Sequence, residues 1–165
     1  MNRPAYLPSL LDRLQDDAPK QRSERPDAYA PDEHGMRRII QRDLGLLFNA
    51  MNLLSAAEEE RYPEVAASVV NYGVPQLSGT YVSEFSWEAL EQRIRMAITC
   101  FEPRLIPDSV RLRPIKDADP GRHNRLMFEI DCLMQWLPYP LEFRVQSLYD
   151  LETNKVALDL AGSRG

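Results

Sequence analysis

Phe101-Glu102-Pro103-Arg104-Leu105 marks the point at which the hydrophobic period of this chain changes. Upstream, Trp87, Leu90, Ile94, Ala97, Ile98 and Phe101 recur at three- and four-residue spacing, as in a helix with one buried face. Ser86 suits its N-cap and Glu88 its first turn. Pro103 disfavours helical backbone at the residue before it, so the helix should end at or near Glu102. Downstream the period is two. Val110 and Leu112 alternate with Arg111 and Arg113. Leu126, Phe128, Ile130, Cys132 and Met134 alternate with a face that includes Glu129 and Asp131. Leu141, Phe143 and Val145 alternate with Glu142, Arg144 and Gln146, and Val156, Leu158 and Leu160 add a short strand. Helices first and strands afterwards predict an α+β fold, with N-terminal helices packed on one face of a mostly antiparallel β-sheet.

The quoted helix end has a charge of the wrong sign. Glu102 lies at the negative end of the helix dipole, where a cation is preferred. Something positive should answer it, and Arg104 and a partner protein are the two candidates.

Further upstream, Met36, Ile39, Ile40, Leu44, Leu47, Phe48 and Met51 share one helical face, opposite Arg37, Arg38, Gln41, Arg42 and Asn49. Pro63 suits the first turn of a short helix running through Val70, which Gly73 and Pro75 end. Asn71 and Gly73 suit the left-handed backbone that closes a helix, and Tyr72 offers a ring and a hydroxyl. Gln76 to Phe85, Lys116 to Asn124 and Leu137-Pro138-Tyr139-Pro140 read as loops. Leu7, Leu10, Leu11 and Leu14 form a short stripe, and the Pro-rich residues 15–34 follow it. The stripe is either a docking helix on a leash or a terminal helix packed on its own domain. The expected division is a docking helix and flexible linker at 1–34, an α+β domain at 35–160 and a disordered tail at 161–165.

A length of 165 residues suits one domain with a real core, and a hydrophobic content of 44 % with 27 % charged residues suits a globular one. The net charge of −5 argues against a nucleic-acid binder. No run has the length of a membrane span and residues 1–15 lack a signal-peptide core, so a cytoplasmic protein is expected. Cys100 and Cys132 fall on expected core faces, as two buried free thiols. His34 and His123 stand in polar contexts that read as loops, and no metal or cofactor is expected. No phosphate loop, nucleophile elbow or metal motif is present. A glycosidase needs two carboxyl groups about 5–10 Å apart across a sugar cleft. Glu102 as general acid, paired with Glu129 or Asp131, is the enzyme alternative, and nothing in the sequence builds its cleft.

Ser68-Val69-Val70-Asn71-Tyr72-Gly73-Val74-Pro75-Gln76-Leu77-Ser78-Gly79 resembles a segment of the TssE family of type VI secretion baseplate subunits. The Glu-Pro-Arg run follows about thirty residues later, as in that family. Leu10-Leu11-Asp12-Arg13-Leu14 is similar to its N-terminal element, and the helix with Arg38, Asp43, Leu44, Leu47 and Asn49 to its Arg-Arg-Asp-Leu helix. Gln41 and Ala50-Met51 depart from the usual pattern there.

The resemblance implies a non-enzymatic wedge component of a contractile machine, despite a "lysozyme-like" label attached to the family. It implies TssF and TssG as wedge partners, with the TssK complex and VgrG hub nearby. It also implies a sheath of TssB and TssC that polymerises from this subunit, on a baseplate docked at the inner face of the cell envelope. An open sheet edge near residues 141–160 would receive a donated sheath strand. The partner-binding residues it implies are Glu102, Pro103, Arg104, Leu105, Asn71, Tyr72, Gly73, Leu10, Leu11 and Leu14, with Glu102 and Arg104 acting either inside the fold or across to the wedge.

Overall fold

A computed structural model describes residues 8–14, 19–20, 30–75, 86–115 and 125–160. The expected loops at 76–85 and 116–124, His123, most of the expected linker and the tail at 161–165 lie outside the described residues. Among the described residues there are five helices: α1 (Leu10–Leu14), α2 (Glu33–Asn49), α3 (Ala56–Arg61), α4 (Pro63–Ala66) and α5 (Trp87–Phe101). Four strands follow, β1 (Arg111–Ile115), β2 (Arg125–Met134), β3 (Leu141–Asp150) and β4 (Lys155–Leu160). They pair antiparallel in sequence order. The expected α+β architecture is the one observed.

Alternation sorts the sheet into two faces. Phe128, Ile130, Cys132 and Met134 of β2 oppose Ser147, Val145, Phe143 and Leu141 of β3. They meet Leu44, Leu47 and Phe48 of α2 and Leu90, Ile94 and Ile98 of α5 in one core. The other face carries ions, with Arg144 bridging to Glu129 at 3.9 Å and to Asp131 at 3.3 Å. That is the solvated side of a half-buried antiparallel sheet.

Local chemistry explains the helix limits. The Asp32 side chain accepts a bond of 2.7 Å from the Gly35 N–H, which starts α2 at Glu33 and places His34 in a helix rather than a loop. Ser86 Oγ accepts from the Ala89 N–H, so α5 starts where expected. Three further expectations fail here. Residues 63–70 do not form one helix: α4 ends at Ala66 and a 3-10 turn covers Val69–Asn71. Val69 and Val70 are exposed there, so no apolar face drives continuation. Met51 lies beyond α2 and is 62 % exposed, because α2 stops at Asn49. Cys100 is exposed and only Cys132 is buried, since position 100 falls off the stripe of Ile94, Ala97, Ile98 and Phe101. Burial pushes the Cys132 thiol up to about 12.

The expected open edge near residues 141–160 is partly capped by α2. The Asn49 side chain receives the Val156 N–H at 3.0 Å and donates to the Val156 carbonyl at 2.9 Å, as a neighbouring strand would. Gln41 donates to the Leu158 carbonyl at 2.6 Å. Arg37 donates to the Glu142 carbonyl at 2.8 Å, and residues Val145–Asp150 of β3 lie between β2 and β4. Arg37, Gln41 and Asn49 on the polar face of α2 therefore cap backbone groups of the sheet. Asn49→Ala is expected to lower stability by about 1–2 kcal/mol and to promote self-association, read by denaturant midpoint and light scattering.

Candidate functional site

The end of α5 gathers side chains from four separate stretches. Glu102 is its C-cap, with its N–H on the Ile98 carbonyl at 2.9 Å. Pro103 prevents a further helical turn, and the Leu105 N–H closes a turn onto the Glu102 carbonyl at 3.2 Å. That turn folds Arg104 back over the helix end. Glu102 Oε1 accepts from Arg104 Nε at 2.6 Å and from its backbone N–H at 3.2 Å, while Oε2 accepts from Arg104 Nη2. Glu102 is only 3 % exposed. The cation that the helix end demanded is therefore internal, two residues away.

Arg104 continues the series. Its Nη2 donates to Asp43 Oδ2 of α2 at 2.6 Å. Asp43 Oδ1 accepts from Nε and Nη2 of Arg42 at 2.9 and 2.6 Å. Arg42 in turn grips both oxygens of Asp12 on α1, one of them at 3.0 Å. Five side chains thus alternate in sign from Glu102 to Asp12. Burial disfavours charge on Arg104, but the Glu102 and Asp43 carboxylates outweigh it and hold the guanidinium more firmly protonated than usual. Arg42 holds the Asp12 carboxyl down to about 2. A depressed carboxylate pKa means that the contact is complete above about pH 4, Asp12's ordinary range, and fades as pH falls through about 2.

The polar side of α1 faces the domain. Ser9 Oγ donates to Asp12 at 2.6 Å and accepts from its N–H at 3.4 Å, which caps a helix too short to stand alone. Leu10, Leu11 and Leu14 are 67 %, 64 % and 71 % exposed. Of the two expectations for this stripe, packing of the leucines on their own domain is not what is seen.

The Asn71-Tyr72-Gly73 segment abuts the same corner. Tyr72 sets its ring edge-on to Phe101 at 5.2 Å between centroids. Its hydroxyl is pushed up by burial, with the Asp43 and Glu102 charges adding to the effect. Gly73 has φ +132°, but Asn71 does not have the positive φ expected of it. Asn71 works through its side chain, which is buried. Its carbonyl oxygen accepts from the Leu53 and Leu54 N–H groups at 3.0 and 2.9 Å, and its amide donates to Glu59 and to the Ala66 carbonyl, each at 3.2 Å. Leu105 is buried, and the backbone on either side of it is stitched to β2, Ile106 N–H to the Leu133 carbonyl and Gln135 N–H to the Arg104 carbonyl, both at 2.8 Å.

Beside this corner, between α3–α4 and α5, lies a groove of about 490 Å³ lined chiefly by apolar side chains, including Ala67, Met96 and Phe101. Neither Glu102 nor a pair with Glu129 or Asp131 faces it: Glu102 is spent on Arg104, and the other two lie on the ion-bearing sheet face. Among the described residues no group of three or more His, Cys, Asp or Glu is gathered around a metal position. No helix among them is long and apolar enough to cross a membrane.

Sequence reasoning placed Arg42 on a solvated helix face and gave Asp12 no role. Their pairing spans 30 residues, and that of Arg104 with Asp43 spans 61. Local patterning carries no signal for either.

The polar cluster at this corner joins three elements of one α+β domain, α1, α2 and the end of α5. The chain belongs to the family described as Baseplate wedge protein gp25, whose profile matches residues 34–139, nearly two thirds of it. Its role is structural, in the baseplate of a contractile injection system, where it contacts other baseplate proteins. The matched span runs from α2 through β2 and includes Asp43, Asn71, Glu102 and Arg104, while α1, β3 and β4 lie outside it. Comparisons with curated proteins and with solved structures found no match.

Proposed function

We propose that this chain is the TssE subunit of a type VI secretion baseplate, a cytoplasmic wedge component that binds TssF and TssG and from which the TssB–TssC sheath starts. One observation carries the reading: the four segments that resemble TssE meet at one corner, which presents α1 with its leucines outward. A short apolar stripe held open in this way suits insertion between helices of a wedge partner. In this division, 1–34 is the docking segment and 35–160 the body. Glu102 and Arg104 shape the corner from within, and Pro103 and Leu105 hold its turn. A sheath strand arriving at β4 has to displace Asn49 and Gln41.

The test is co-purification of the full chain with TssF and TssG. Wild type should bring both down. Replacing Leu10, Leu11 and Leu14 with serine, at exposed positions that leave the core intact, should reduce recovery at least about tenfold, the effect of losing roughly 1.4 kcal/mol or more of apolar contact. Absence of a wild-type complex would sink the assignment.

A further inference from the structure

The contact that seats α1 is the outermost link of a longer series, and this has a consequence for how the leucines are presented. A five-residue helix is far below the length that is stable alone in water. Its leucines do not bury, so hydrophobic packing by these residues does not hold it. The described anchors at this position are the Ser9 cap and the double contact of Asp12 with Arg42. Arg42 is itself half-exposed, and a free arginine there would sample many rotamers. Asp43 removes that freedom by receiving both Nε and Nη2 of Arg42 on one oxygen. Asp43 is fixed in turn from its other oxygen by Arg104, which is locked on buried Glu102.

We propose that Asp12, Arg42 and Asp43 are positioning residues: with Arg104 and Glu102 they form an ionic latch that sets the pose of α1 and turns its leucine stripe toward a partner. The proposal rests on the docking role given to α1 above. Pre-setting the helix spares a partner the entropy of ordering it on binding. Because the outer links are near solvent, salt weakens the latch, and presentation of the stripe depends on ionic strength. The inner link, buried at Glu102, is the fixed point.

The test is ¹⁵N relaxation on the free full-length chain, with backbone order parameters read at residues 10–14. Wild type at low salt should give values near the rigid limit of about 0.85. Asp12→Asn and Arg42→Gln should drop them below about 0.6, and added salt should do the same to wild type. Asp12→Glu keeps the charge and should stay near wild type. Asp43→Asn is the decisive variant, because Asp43 does not touch α1, and it should loosen residues 10–14 while β2 and β3 keep wild-type values. Unchanged order in Asp12→Asn and Arg42→Gln overturns the latch. Loosening in those two but not in Asp43→Asn overturns it as well, leaving only a local ion pair. A latch that behaves as stated in a chain that fails to bind TssF and TssG would instead defeat the docking role and leave the latch standing.

Discussion

Arg104→Met is expected to destabilise the domain by about 3–5 kcal/mol, the usual loss when one partner of a buried ion pair is removed. The magnitude follows from the asymmetry of the site. Glu102 is 3 % exposed and every bond to its carboxylate found among the described residues comes from Arg104, so the variant strands a charge that water cannot reach. Asp43 loses a donor as well, but it is more exposed and keeps Arg42. The measurement is a urea midpoint, with the slope checked for change. Combining Glu102→Gln with Arg104→Met should recover a good part of the loss, because no buried charge then lacks a partner. A single-variant loss below about 1 kcal/mol, the scale of an exposed pair, would show that the corner is open to solvent and that the inner end of the series is not anchored.

Gly73→Ala should cost about 3 kcal/mol or more, from backbone strain and a clash together. At φ +132° an L side chain is strained whatever space surrounds it. Space is lacking too: an added Cβ would stand 2.5 Å from the Ala50 carbonyl oxygen and 2.8 Å from the Met51 carbonyl carbon. Both are backbone atoms, fixed by the Val74 N–H on the Ala50 carbonyl at 3.0 Å and by the parallel bridge of Met51 with Val74. Relief requires breaking that bridge, which moves Asn71 and Tyr72 away from the corner. Thermal unfolding reads the effect. A variant with wild-type melting would mean that the loop has another conformation of nearly equal energy.

The long strands β2 and β3 were legible because each has a half-buried face and a period of two, and α5 because Ser86 and Pro103 bracket an apolar stripe. The helices after α2 were not. The short helix expected from Pro63 through Val70 breaks because Val65, Val69 and Val70 are exposed, and Asn71 organises the segment through four side-chain bonds that no period encodes. Glu102 was legible as a question, since its charge opposes the helix dipole. Its answer in Arg104 was one of two options, settled only by the turn at Pro103. Arg42 and Asp12 could not be paired from sequence because ionic partners follow the tertiary fold. The edge caps fail for the same reason: Gln41 and Asn49 read as solvated polar residues, and the position of β4 beneath them gives them their long-range partners.

The grip of Asn49 on Val156 also fixes an order of events during synthesis. Its two ends are separated by 107 residues, roughly 5–20 s of translation at bacterial to eukaryotic speeds. Through that interval the first long helix has been made but the strand it clasps has not. The contact between α2 and β4 therefore forms late, once β4 has been made and α2 can close over it.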